Sequence, residues 1–191
     1  MMRKSLWIIS VIALFALIGC QKQEAAFQPD TFSDKDKCIV NLQNNKTLCY
    51  GDSRADVEAI LQDGGDNGRP LVLYSSGVRV AYRDDIAVGF QLIEGSEGKY
   101  ETARGARVGM SKAEVMELYG FKYAHEATPN NLDYAYDMKK GEFVDKTQVF
   151  SGDVQLKREQ IFLVDAMFDG NKDGAASLIG LVDQKMAIFM E

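Results

Sequence analysis

The sequence predicts an α+β fold made as a tandem repeat, each unit one helix packed on an antiparallel β-sheet in two layers. Three observations carry this reading. Gly51-Asp52-Ser53-Arg54-Ala55-Asp56-Val57 recurs 58 positions later as Gly109-Met110-Ser111-Lys112-Ala113-Glu114-Val115. Apolar residues alternate with others at Val78, Val80 and Tyr82, and again at Ile86, Val88, Phe90 and Leu92, the period of half-buried strands. The 191 residues are 46% apolar and 26% charged, which is the composition of a packed globular chain. On this reading residues 1–19 are a leader, 20–37 a lipidated tether, 38–104 the first repeat and 105–191 the second.

The leader comes first. Arg3 and Lys4 precede a 13-residue run, Leu6 to Ile18, that is apolar except for Ser10. A spanning helix needs about 20 residues, so the run fits the apolar stretch of a secretory signal instead. It ends in Leu17-Ile18-Gly19-Cys20, which resembles the lipobox of bacterial lipoproteins. The alternative is an ordinary signal peptide that contains a cysteine. The resemblance implies that Cys20 becomes the lipidated first residue. It also implies that Gln21, standing where inner-membrane lipoproteins carry Asp, favours the outer membrane. Loss of residues 1–19 removes two bases and no acid, taking the net charge from -6 to -8. A body so acidic is not expected to lie flat on an anionic membrane or to bind nucleic acid.

Gln21 to Lys37 is polar, holds Pro29 and has no apolar period. It reads as a flexible tether with an extended reach of at most ~60 Å. Cys38 and Cys49 then flank a hairpin, with Asn44-Asn45-Lys46 as its turn. Two cysteines in an exported protein predict a disulfide. Their spacing is wider than the two-residue separation of redox and zinc pairs.

Each copy of the repeat opens a helix. Ser53 and Ser111 are expected N-caps, with Glu114 completing a capping box and Asp56 standing in as a shorter acid. Val57, Ile60 and Leu61 share one face, as do Val115 and Leu118, and Gly64 and Gly120 mark the stops. Strands are expected over 71–74, 78–82 and 86–92, with Arg83-Asp84-Asp85 as a three-residue turn that sets Tyr82 opposite Ile86 and Val80 opposite Val88. In the second copy they are expected over 132–138, 160–168 and 175–182, with 139–157 an inserted hairpin or loop. Ile161, Phe162, Leu163 and Val164 are apolar on both faces, so the second sheet is expected to be covered twice.

Val108 to Val115, ending in Gly120, resembles the helix-start motif of the SmpA/OmlA family of small outer-membrane lipoproteins associated with β-barrel assembly. The tandem arrangement resembles that of β-lactamase inhibitor proteins. The first copy departs from the motif, with Asp52 in place of Met and Gly64 two positions later than Gly120. The resemblance implies an architecture and an envelope setting. It transfers no binding residue.

Few residues carry chemistry. Asp169, Asn171 and Asp173, with Gly174, match the first half of a calcium loop. The twelfth position is Gly180 rather than a bidentate Glu, so a polar hairpin loop is the competing reading. His125 is the one histidine, in a polar loop where it reads as a surface residue. Asp84 and Asp85 form a carboxylate pair that the turn also explains. No phosphate loop or dinucleotide fingerprint occurs. The chain is therefore expected to be no enzyme and to need no cofactor. It reads as an envelope lipoprotein that binds a protein partner and touches the membrane through its lipid alone. Outer-membrane assembly or integrity is the first role to consider. Inhibition of an envelope hydrolase is the second, and a calcium-dependent binder or an enzyme the third.

Overall fold

The computed structural model describes residues 27–62, 70–145, 158–170 and 174–187. Its elements in chain order are β1 (Cys38–Asn41), β2 (Thr47–Cys49), α1 (Arg54–Leu61), β3 (Leu71–Leu73), β4 (Val78–Arg83), β5 (Ile86–Leu92), β6 (Tyr100–Thr102), α2 (Lys112–Tyr119), β7 (Asn131–Asp137), β8 (Glu142–Phe143), β9 (Ile161–Asp169), β10 (Ala175–Asp183) and α3 (Gln184–Ala187). They form one three-stranded sheet, β2-β1-β6, and one seven-stranded sheet, β3-β4-β5-β10-β9-β7-β8.

This corrects the expected fold class. Among the described residues the protein is mostly β, with 41% strand and 19% helical, and it is not a tandem helix-on-sheet α+β repeat. The reason lies at the centre of the large sheet. Gly89 to Leu92 of β5 pairs antiparallel with Ile179 to Val182 of β10. Neither segment carries a charge or a proline to blunt its edge, so the two edges join. The helices are also too short to cover a sheet each. Each has eight residues and buries two side chains, Val57 and Leu61 in α1, Val115 and Tyr119 in α2. The small sheet completes the cover, adding Ile39, Leu48 and Tyr100 to a core shared with Phe90, Phe162 and Ile179. A boundary at 104/105 would cut between Arg104 and Ala106, both buried.

What does recur is the helix start. Ser53 Oγ accepts from Asp56 N–H at 3.2 Å, and Ser111 Oγ from Glu114 N–H at 3.3 Å. Glu114 answers by accepting from Ser111 N–H at 2.7 Å, a full capping box that holds its carboxyl below the usual range. In each copy the residues before the cap also pair with the start of a strand. Gly51 N–H donates to Ala87 and Ala87 N–H to Asp52; likewise Gly109 N–H donates to Ala176 and Ala176 N–H to Met110. The local motif is thus used twice, inside a sheet that does not divide. Gly120 ends α2 at φ 104°, while α1 ends at Gln62 at φ 65°. Gly64 lies outside the described residues.

Two further expectations change. The β4–β5 turn has two central residues, not three. Asp84 and Asp85 both take positive φ, 52° and 59°, as a primed hairpin turn requires. Arg83 sits opposite Ile86 and Val80 opposite Phe90, with a bulge between Ala81 and Tyr82. The bulge turns Val88 away from the face of Phe90, so that Ala87 and Phe90 fall in one apolar cluster and Val88 in the other. The second change concerns the tether, whose C-terminal part is folded. Asp36 is 1% exposed and forms a buried ion pair with Arg104. Arg104 also donates to the carbonyls of Gln28 at 2.8 Å and Thr31 at 2.6 Å. Phe32 stacks on Tyr136, with ring centroids 4.0 Å apart. Residues 27–37 therefore belong to the folded body as a strap, and the body does not begin only at Cys38.

Cys38 and Cys49 form a disulfide and lie opposite each other in the β1–β2 register. The bridge lies within the small sheet, across β1 and β2, and Asp52 at the entry of α1 accepts from Cys49 N–H at 2.7 Å.

Candidate functional site

The seven-stranded sheet has two unlike faces. Its inner face is mainly apolar and packs under α1, α2 and the small sheet. Its outer face holds a smaller apolar patch at one end, where Ala81, Val88, Leu163, Val182 and Met186 cluster at α3. Asp183 anchors that end. It is fully buried, accepts from Arg83 at 2.5 Å and Tyr50 at 3.0 Å, and caps α3 by accepting from Met186 N–H at 3.0 Å. Burial and the Asp183 charge push the Tyr50 phenol up to about 12.

Beside the patch runs a polar row. Strand register aligns Leu73, Arg79, Gln91, Gly180, Asp165 and Asp133 across six strands. Directly opposed residues point to the same face, so these side chains share the outer one. His125 extends the row by one more position, through paired backbone hydrogen bonds with Asp133. Arg79 Nη1 donates to Gln91 Oε1 at 2.8 Å. Asn131 Nδ2 donates to Asp133 Oδ2 at 2.9 Å. Gly180 is needed here because the Asp165 carboxylate lies over it. A Cβ at 180 would sit 1.9 Å from Asp165 Oδ1. Asp133 is the perturbed acid of the row, pushed up to about 6 by burial.

Exposed apolar side chains flank the row, Leu73 at its β3 end and Met167 beside Asp165, two residues along β9. Leu73 is 56% exposed and Met167 is 50% exposed. At the Leu73 end an open depression of about 410 Å³ is lined by Leu73, Tyr74, Ser75, Gly77, Ile93 and Glu94. Polar groups flanked by accessible apolar ones, on a flat rigid sheet, suit recognition of a protein surface. Two facing carboxylates can also hold a cation or a proton. Among the described residues no group of three or more His, Cys, Asp or Glu side chains could hold a metal ion.

The residues singled out from sequence fall as follows. Asp169 ends β9, while Asn171 and Asp173 of the calcium motif lie outside the described residues, as does Cys20. Asp84 and Asp85 serve the turn, and Asp85 accepts from Arg54 Nε at 3.0 Å. His125 is brought to the row by pairing with Asp133, which sequence reading did not foresee. Asp133, Asp165, Gln91 and Arg79 were missed as a group. The available signal was a charge inside the apolar run Ile161 to Phe168 and a glycine inside Ile179 to Val182.

No protein family, no curated protein and no solved structure matches this chain. Among the described residues no helix is long and apolar enough to cross a membrane, which says nothing of membrane β-barrels.

Proposed function

We propose that this protein is an envelope lipoprotein, anchored through Cys20, whose body is a non-enzymatic module that binds another envelope protein through the outer face of its large sheet. A role in outer-membrane assembly or integrity follows from the resemblance of the Val108–Val115 motif. The observation that carries the proposal is the outer-face polar row, with exposed apolar side chains at Leu73 on its β3 end and at Met167 beside Asp165 on β9. The lipobox ending in Cys20 and the disulfide at Cys38–Cys49 support an exported setting.

The test places a photo-crosslinking residue at Leu73 or Met167 in living cells. Both positions should give the same protein adduct, because Leu73 on β3 and Met167 on β9 stand on the same outer face. Gln43, exposed in the β1–β2 turn, serves as the control and should give none. An adduct that forms equally from Gln43, or none from either Leu73 or Met167, rejects the proposal.

A further inference from the structure

We infer that the end of the body carrying Phe121 and Lys122 is a second membrane contact, pressed into the lipid headgroup region beside the acyl anchor. The inference rests on the lipoprotein reading of Cys20.

The strap sets the geometry. Asp30 N–H donates to Tyr119 O at 2.9 Å, and Asp30 Oδ1 accepts from Lys122 N–H at 2.9 Å. Gly120 allows this approach, since a Cβ there would meet Asp30 Oδ1 at 2.2 Å. The strap is thus clipped to both sides of Phe121. Arg104 holds it again at Gln28 and Thr31, and its guanidinium lies 5.0 Å from the Phe27 ring.

That docking shortens the anchor. From Cys20 to Phe27 is seven residues, a reach of at most ~25 Å. A body of this size is ~40 Å across. The lipid therefore holds the strap end of the body near the bilayer, and the far end cannot take its place. Phe121 stands at the strap end and is 63% exposed, more than any other large apolar side chain among the described residues. Lys122 follows it, with Nζ 4.8 Å from the Tyr123 ring. An aromatic side chain beside a lysine is the pair that membrane interfaces favour. One exposed Phe would not hold a free protein on a membrane. A short tether makes the contact intramolecular, at an effective concentration in the millimolar range. The contact is local, which suits a body whose net charge opposes lying flat. It also sits in the α2 layer, so the outer sheet face stays open to a partner.

Trp7 is the one tryptophan of the sequence and belongs to the leader, so the processed chain offers a dark background. Phe121→Trp keeps an aromatic ring in place, and Met167→Trp supplies a control on the outer face. Each variant, in its lipidated full-length processed form, is reconstituted in vesicles of phosphatidylethanolamine with a minority of phosphatidylglycerol. Some vesicles carry brominated acyl chains. Phe121→Trp emission should shift to the blue and be quenched strongly by the brominated lipid, while Met167→Trp should keep its emission. Mass spectrometry of the same samples reports acylation at Cys20. Acylated protein in which both tryptophans respond alike overturns the membrane contact and leaves the lipoprotein reading intact. Protein without lipid at Cys20 overturns both.

Discussion

The inner and outer faces of the seven-stranded sheet are made by the same strands, yet they follow different rules. Along β9, Phe162, Val164, Ala166 and Phe168 point inward and are all buried. Along the same strand Leu163, Asp165 and Met167 point outward and run from buried through half-buried to exposed. The inner face is built mainly from large buried apolar side chains. The outer face changes character every two residues, from a covered patch to a polar row to accessible apolar flanks. Stability should therefore reside on one face and recognition on the other, and substitutions can separate the two.

The largest effect is expected on the inner face. Phe162 is fully buried and meets Phe32 and Tyr50 edge-on. Phe162→Ala should destabilise by about 3–5 kcal/mol, read by chemical denaturation. Met167→Ala, two turns of the pleat away on the other face, should leave the midpoint unchanged. Equal losses at the two positions would erase the distinction between the faces.

A comparable loss is expected where the strap closes the helix layer. Asp36→Ala strands the Arg104 guanidinium, which is 1% exposed at its side chain. Removing one partner of a buried ion pair costs about 3–5 kcal/mol. The variant should also free residues 28–31 to proteolysis, and an unchanged digestion pattern would show that the strap does not depend on this pair.

The polar row should give a smaller and pH-dependent effect. Burial raises the Asp133 carboxyl to about 6 from an ordinary 3.8. A group so raised favours folding while protonated, and that contribution is lost as pH climbs from about 4 through 6. Asp133→Asn keeps an acceptor for Asn131 and removes the penalty, so it should stabilise at pH 7 by up to about 3 kcal/mol. It should make little difference at pH 4. A gain that is the same at both values would mean that ionisation is not its source.

The smallest effects belong to the helix starts. Ser53→Ala and Ser111→Ala should each cost about 1 kcal/mol, lowering the melting temperature by roughly 2–4 °C. The two should add, since the caps serve separate helices. If both variants melt like the parent, the caps contribute nothing and the recurrence of the motif has no energetic meaning.

The sequence made some of this legible and hid the rest for physical reasons. Alternation gave β4 and β5, because a half-buried strand must alternate, and apolar runs bounded by polar residues gave β9 and β10, all to within a residue or two. The caps at Ser53 and Ser111 were readable, since they act over three residues. The joining of β5 to β10 was not, because a strand's period says nothing about which edge it meets. That pairing is what turns two expected units into one sheet. The strap was hidden in a polar segment, since Asp36 and Arg104 are 68 residues apart and only the fold shows them paired. The row on the outer face was hidden for the same reason. Asp133, Asp165, Gln91 and Arg79 are scattered along the chain and aligned by register alone.

Recognition of a protein by the outer-face row and its exposed flanks, with little contribution of these residues to stability, is the central proposal. Its most direct test is the chain carrying Leu73→Glu and Met167→Glu together, with photo-crosslinking from Arg79 in cells and melting of the purified protein. The account predicts that the partner adduct disappears while the melting temperature stays that of the parent. An adduct of undiminished yield, or a large fall in melting temperature, would contradict it.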